Sequence, residues 1–232
     1  VVVRLAPAIS GLTLEQHRVR GCSAGFIASK GAGFADEMVR QRLDTDRALA
    51  TFRDAFDQPD RLPDAEAFRR PLDEARRAVT EIEAARKGIS ALTTPAAEAI
   101  AYYTATIGRL LAMAESVSND AHAPEVIRTA TAWNALLAAK ELAGRERATG
   151  AAGFGAGSFA PEAHRTLLRL AAEQDAAVAT FRRLATPEQV TAWDAALGDT
   201  VQADVARMRA IAWNAPFGAD VRSVSAKAWF AA

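Results

Sequence analysis

Arg18-Val-Arg20-Gly-Cys-Ser-Ala-Gly-Phe26 decides the fold of this chain, because it occurs twice. It returns as Arg145-Glu-Arg147-Ala-Thr-Gly-Ala-Ala-Gly-Phe154. A glycine cluster follows each copy, Gly31-Ala-Gly-Phe34 and then Gly155-Ala-Gly-Ser-Phe159. A second match lies further on, Asp46-Arg-Ala-Leu-Ala-Thr-Phe-Arg53 against Asp175-Ala-Ala-Val-Ala-Thr-Phe-Arg182. The offset drifts between about 124 and 129 residues as loop lengths differ. Self-similarity at this scale means one supersecondary unit built twice.

Between the Gly and Pro clusters, apolar residues recur at three and four, the helical period, and no run alternates as a half-buried strand does. The expected fold is all-α, two tandem up-and-down four-helix bundles with about eight helices. The first helix is expected from about Pro7 to Lys30, stopped by Gly31-Ala-Gly33. The second spans about Phe34 to Phe56. Asp57-Gln-Pro-Asp-Arg-Leu-Pro63 is a turn. The third spans about Asp64 to Ser90, bent near Pro71 because proline removes an internal bond. Thr94-Pro95 opens the fourth, as a cap followed by the first helical position. Pro124 opens the fifth, and Gly155-Ala-Gly157 ends it. The sixth covers about Pro161 to Leu184. Thr186-Pro-Glu188 caps a seventh that reaches Trp213. Asn214-Ala-Pro-Phe-Gly218 breaks it, and Ser223 or Ser225 opens a short eighth. Residues 1–232 read as one domain, with repeat 1 over about 7–120 and repeat 2 over about 124–232. Trp229-Phe230 stands where Tyr102-Tyr103 stands in the first copy, so the last helix of the second copy reads as truncated.

The chain has 232 residues, enough for one large or two small cores. Lys+Arg and Asp+Glu are both 28, so no bulk basic field points to nucleic acid or an anionic membrane. One cysteine, Cys22, excludes an internal disulfide and any CxxC site. No apolar run reaches bilayer length.

Catalytic constellations are missing. His122 reads as a loop residue, His164 as a first-turn surface residue, and His17 has no evident carboxylate partner. No HExxH, ExxH pair or EF-hand loop offers metal ligands, and the Gly-rich pieces follow no strand. The expectation is therefore no enzyme, no catalytic residue, no metal and no cofactor.

The arginines carry more. Arg18 and Arg20 point about 200° apart on a helix. The register of Leu5, Ile9, Leu12, Gln16, Ser23 and Ile27 puts Arg20 on the inner stripe. The stripe of Trp133, Leu137, Lys140, Gly144, Ala151 and Phe154 selects Arg147 over Arg145. Small residues follow both arginines and leave room beside the guanidinium. That group is a planar fork of donors suited to nitrate, nitrite or a carboxylate. The alternative is that each arginine pairs with a core carboxylate such as Glu141 or Glu146.

Arg20-Gly-Cys-Ser-Ala-Gly-Phe-Ile-Ala-Ser-Lys-Gly31 with Gln41-Arg42 and Thr45-Asp46 resembles the first signature of the NIT family, the nitrate- and nitrite-sensing domain. Lys140-Glu141, Gly144, Glu146-Arg147-Ala148 and Gly150 resemble its second, and Val224-Ser-Ala-Lys-Ala-Trp-Phe230 its closing segment. The resemblance implies an all-helical sensor that holds a small anion, nitrate or nitrite, between two bundles by arginines. Those would be Arg20, Arg147 and a third on the long helix before the closing segment, Arg207, with Arg209 as its competitor. Two features depart from the pattern. Gln16-His17-Arg18-Val19 lacks the usual glutamate, and Gly21 stands where some members have a second arginine, whose contact Arg18 could replace.

The resemblance further implies a homodimer and an output domain in the parent chain, with no nucleic acid bound by this part. Such modules stand in the periplasmic region of inner-membrane receptors, ahead of histidine kinase or chemotaxis outputs; others are cytoplasmic and control antitermination. Rival readings are a structural dimerisation module without ligand and a sensor of an organic acid.

Overall fold

The computed structural model describes residues 2–32, 34–57, 66–119 and 123–231. Its described residues form ten α-helices and two short 3-10 turns, with no strand. The helices are α1 (Val2–Ala28), α2 (Ala35–Phe56), α3 (Glu66–Thr80), α4 (Ile82–Ser90) and α5 (Ala96–Asn119). They continue with α6 (Pro124–Ala156), α7 (Pro161–Leu184), α8 (Pro187–Leu197), α9 (Asp199–Trp213) and α10 (Ala226–Ala231). The 3-10 turns, Ala215–Phe217 and Val221–Ser223, lie between α9 and α10.

The chain divides into two compact units, Val1–Asn134 and Ala135–Ala232, and the boundary falls within α6. In the first unit α1 packs on α2 and α5, and α3 packs on α5. Leu5, Ile9 and Leu12 of α1 meet Phe52, Phe56, Phe68, Ile82, Leu110 and Met113 in the main core. Each such side chain contributes about 1.5–3 kcal/mol on burial. A smaller cluster of Val19, Met38, Ile89, Ala99 and Tyr103 continues it. Near the unit's edge Trp133 donates its indole N–H to the Ser10 hydroxyl at 2.5 Å. The second unit packs Phe154, Leu167, Met208, Ala212, Val221, Val224 and Trp229 together, and α7 contacts α9.

The duplication is visible in one local device. Phe34 follows the first glycine stop, and its ring covers Gly25 so closely that an added Cβ would lie 2.6 Å from it. Phe159 follows the second stop and covers Gly153, where the same distance is 2.0 Å. Each helix therefore carries a glycine where the returning phenylalanine lands. Gly31 and Gly157 take the left-handed φ (84° and 68°) that ends a helix without a Cβ clash.

Several expected boundaries shift. The first helix starts before Pro7, which lies inside α1. Pro71 is likewise accommodated inside α3, and the expected single third helix breaks instead at Glu81. The seventh helix is two, because Gly198 (φ 68°, ψ 141°) takes a conformation only glycine reaches easily. Thr186 and Gln189 do form a reciprocal capping box on α8. Ser225, rather than Ser223, caps α10 by accepting from the Ala228 N–H at 3.0 Å. Most of the expected turn at 57–63, and His122, lie outside the described residues.

Candidate functional site

Helix α1 buries a polar row. Thr13, Gln16, Arg20 and Ser23 recur at three and four, and none is more than 8% exposed. Thr13 returns its hydroxyl proton to the Ile9 carbonyl at 2.8 Å, a within-helix bond. Arg20 reaches across to α5, where Nη1 donates to the Thr104 hydroxyl at 2.9 Å. Its Nη2 lies 3.4 Å from His17 Nδ1. A guanidinium only donates, so Nδ1 is the acceptor and the neutral ring carries its proton on Nε2. Gln16 sits one turn before Arg20 and is fully buried, yet neither amide atom makes a hydrogen bond among the described residues. A buried amide with donor and acceptor both unmet is costly, and such groups call for a polar ligand or water.

Arg18 points away from this row. It is exposed and pairs with Glu15 at 3.0 Å, and Glu15 also accepts from the buried Gln41 amide. Arg18 and the buried row thus occupy different sides of α1.

Two further arginines of the first unit, Arg42 and Arg86, clasp each other. Arg42 Nη2 donates to the Arg86 carbonyl at 3.2 Å, and Arg86 Nη2 to the Arg42 carbonyl at 3.3 Å. Arg86 is buried and also pairs with Asp46 at 2.6 Å and Glu83 at 3.0 Å. Burial pushes the Arg42 guanidinium below its ordinary pKa, and Arg86 adds to the effect, while Tyr103, Glu83 and Asp46 oppose it. Sequence reading quoted Arg42 in the family signature without assigning it a partner, and missed Arg86 altogether. The i,i+3 spacing of Glu83 and Arg86 was the available signal.

In the second unit the expected register fails by one residue. Arg147 is exposed, whereas Glu146 and Gly150 are buried. The inward position goes to Glu146, because it binds Arg209 there. Arg209 Nε donates to Glu146 Oε1 at 2.7 Å and Nη2 to Oε2 at 2.5 Å, a bidentate fork. Asp175 adds a contact at 3.3 Å, and Gln174 accepts as well. Burial alone would lower the Arg209 pKa, but the bonds and charges of Glu146 and Asp175 carry it above its ordinary value. The core-carboxylate alternative thus holds for Glu146, with Arg209 rather than Arg20 or Arg147 as partner.

Arg207 is exposed and meets Asp204 at 3.3 Å. The Arg147 main chain is fixed from the other side, since Trp229 of α10 donates its indole N–H to the Arg147 carbonyl at 2.9 Å. The Trp229 ring covers Gly150, where a Cβ would lie 2.3 Å from it, and meets Phe154 at 5.3 Å between centroids. Helix α10 is thereby docked on the segment that carries Arg147.

Among the described residues no group of three His, Cys, Asp or Glu could hold a metal. No described helix is long and apolar enough to cross a membrane.

Comparison with known proteins extends this geometry. A Nitrate regulatory protein of Klebsiella oxytoca is 29% identical over 185 residues, which is 80% of this chain and 46% of that protein. The solved structure of the NasR transcription antiterminator superposes with a TM-score of 0.83 at 27% identity, covering 98% of this chain and 61% of that one. The chain therefore spans about half the length of the curated relative it matches. The family described as nitrate and nitrite sensing matches residues 15–232, and that description is sensory, not catalytic. The chain belongs to this nitrate and nitrite sensing family, NIT.

Proposed function

We propose that this chain is the sensing part of a longer regulator and that it binds nitrate, nitrite or a similarly small planar oxyanion through Arg20, Arg147 and Arg207. The observation that carries the reading is the buried row of α1, where Arg20 lies one turn from the unmet amide of Gln16. A guanidinium fork and an amide N–H suit an oxyanion with several acceptor oxygens, and a dry setting strengthens such charge-assisted bonds. Family membership supports the ligand class. Arg209 is held by the fork to Glu146, so Arg207, with only an exposed pair to Asp204, is the choice on α9, and Arg18 is left out because it lies off the buried row of α1.

Ligand at Arg147 would be felt by α10, because the Trp229 indole is bonded to that residue's own carbonyl. A sensor that passes its state to an output through this last helix fits the docking. Resemblance to a transcription antiterminator favours an antitermination output in a cytoplasmic regulator over the periplasmic receptor arrangement. With equal numbers of acidic and basic residues, this part is not the nucleic-acid contact.

Calorimetric titration with nitrate and with nitrite tests the reading. Arg20→Ala, Arg147→Ala and Arg207→Ala should each weaken binding about tenfold or more, the worth of one charged hydrogen bond. Arg18→Ala should bind as the parent does. Equal affinity of parent and Arg147→Ala removes Arg147 from the site, and absence of heat with both anions removes the ligand class.

A further inference from the structure

We propose that the second unit holds a separate ligand site where the end of α6, the start of α7 and the two 3-10 turns meet, and that it takes a small organic acid with a flat apolar body and one carboxylate. A cavity of about 650 Å³ opens there. That lies within the range of small-molecule sites, about 300–1,000 Å³, and is far more than a nitrate fills. Phe159, Pro161, Pro216 and Val221 give it apolar walls, and His164 and Arg222 give it polar ones.

Arg222 is the group that defines the ligand's charge. Its side chain lies across Gly157, where an added Cβ would be 3.0 Å from both Cγ and Nε. Glycine at this left-handed position therefore does two things, ending α6 and leaving room for the Arg222 side chain beside the cavity. Arg222 makes no ion pair among the described residues. Asp220, its near neighbour, turns its carboxylate to the Arg222 backbone N–H at 3.1 Å. Arg165, also on the cavity wall, already pairs with Glu162 at 2.5 Å. The unspent charge facing the cavity is thus the Arg222 fork, which matches a carboxylate in two parallel bonds.

His164 sets the second polar contact. Its Nε2 lies 3.2 Å from the Trp213 carbonyl, which can only accept, so Nε2 holds the proton. In the neutral ring Nδ1 is left as an acceptor, suited to a hydroxyl on the ligand. Phe159 stands edge-on to His164 at 6.5 Å between centroids and lines the same cavity as an aromatic wall for a planar body. The site lies wholly within one unit and involves none of Arg20, Arg147 or Arg207. Val221 and Val224, in the segment between the cavity and α10, sit in the same core as Trp229. An acid bound to Arg222 would tie this segment to α6 and α7, and so hold α10 in its docked position. The site would then act as a second input on the same exit helix.

Benzoate is the probe, titrated into isotope-labelled protein by two-dimensional NMR, with benzyl alcohol and inorganic phosphate as companions. Saturable shifts should centre on Gly157, Phe159, His164 and Val221 by about 10 mM benzoate, as for a millimolar site. Arg222→Met should weaken binding about tenfold or more and Arg222→Lys by less, since a lysine keeps the charge and loses the fork. Arg222 is exposed, so neither variant threatens the fold. Nitrate affinity should be the same in all three proteins, which separates this site from the oxyanion site. Non-saturating or scattered shifts overturn the proposal, as does unchanged benzoate affinity in Arg222→Met. Benzyl alcohol binding as tightly as benzoate makes the cavity a neutral apolar crevice, and phosphate binding as tightly makes it an inorganic anion site; either result refutes the organic-acid class.

Discussion

Gly150→Ala should destabilise this protein, although alanine is the better helix former. In an exposed helix interior the exchange of glycine for alanine gains about 0.5–1 kcal/mol, mostly by restricting the unfolded chain. At Gly150 the new methyl would sit 2.3 Å from Cε2 and Nε1 of Trp229, a ring only 5% exposed. The ring must move, and overpacking of this kind costs about 1–3 kcal/mol. Its movement also breaks the indole bond to the Arg147 carbonyl, about 1 kcal/mol more, which cancels the helix gain. The net loss is about 1–3 kcal/mol, or about 2–10 °C in Tm for a chain of this size. Gly108→Ala is the matched control. Gly108 lies inside α5, is exposed, and an added Cβ meets nothing within 4 Å, so this variant should melt a few degrees higher. Calorimetry gives both melting points, and the Trp229 indole N–H resonance reports the local change directly. If Gly150→Ala melts at or above the parent while the Trp229 indole keeps its shift and its protection from exchange, α10 is not closed on α6 in the way described.

Asp46→Ala should cost about 1–2 kcal/mol, since it leaves the buried Arg86 with the exposed Glu83 and the Arg42 carbonyl. Asp175→Ala should cost less than about 0.5 kcal/mol, because Glu146 keeps the Arg209 fork; denaturant titrations that give equal losses reject this difference. Thr186→Ala removes the capping box of α8 and should cost about 1 kcal/mol, with faster amide exchange at Gln189 and none of that change in α1. The Cys22 thiol is raised above its ordinary pKa by burial and by Glu37, so its thiolate fraction at pH 8 is small. Disulfide-exchange reagents should therefore label it more slowly than free cysteine, with the rate climbing past pH 9. The sign for stability follows: the folded protein favours the neutral thiol, and this contribution is present below the unfolded pKa and lost as pH rises through the folded one.

The repeat and the helical class were legible because glycine stops, proline starts and a capping residue are local signals. The limits of α7 were readable for that reason, and the burial of Arg20 from the apolar stripe of α1. Arg147 was misplaced for a reason of the opposite kind. Its helix is rich in Ala and Gly, so several stripes fit the pattern equally well, and the choice between them rests on partners distant in sequence. Glu146 faces inward because Arg209, 63 residues away, is there to bind it. Gly150 faces inward because Trp229 comes from near the end of the chain. The break at Gly198 was hidden because one glycine in a helical run is often tolerated, and only the backbone angle marks it as a stop. Register does not tell Arg207 and Arg209 apart, because their different surroundings, Glu146 for Arg209 and the exposed Asp204 for Arg207, come from tertiary contacts.

The two copies also share an ion pair that neither quoted motif contains in full. Asp46 and Asp175 are repeat equivalents, and they meet Arg86 and Arg209 respectively. What differs is the residue just before each signature arginine. In the second copy it is Glu146, which neutralises Arg209 in the interior. In the first it is Val19, which instead joins the apolar cluster with Ile89 and Tyr103. A buried fork of two charges tolerates no loose partner, so the second copy's inward position is committed to structure. The buried row of the first copy contains a cation, an unmet amide and no acid of its own. The second copy is thus locked by its own carboxylate, whereas the first keeps an unmet amide one turn from its buried arginine. For that reason the proposed anion contact is placed at Arg20 and Gln16 rather than at the partly buried Arg209, whose fork Glu146 already holds.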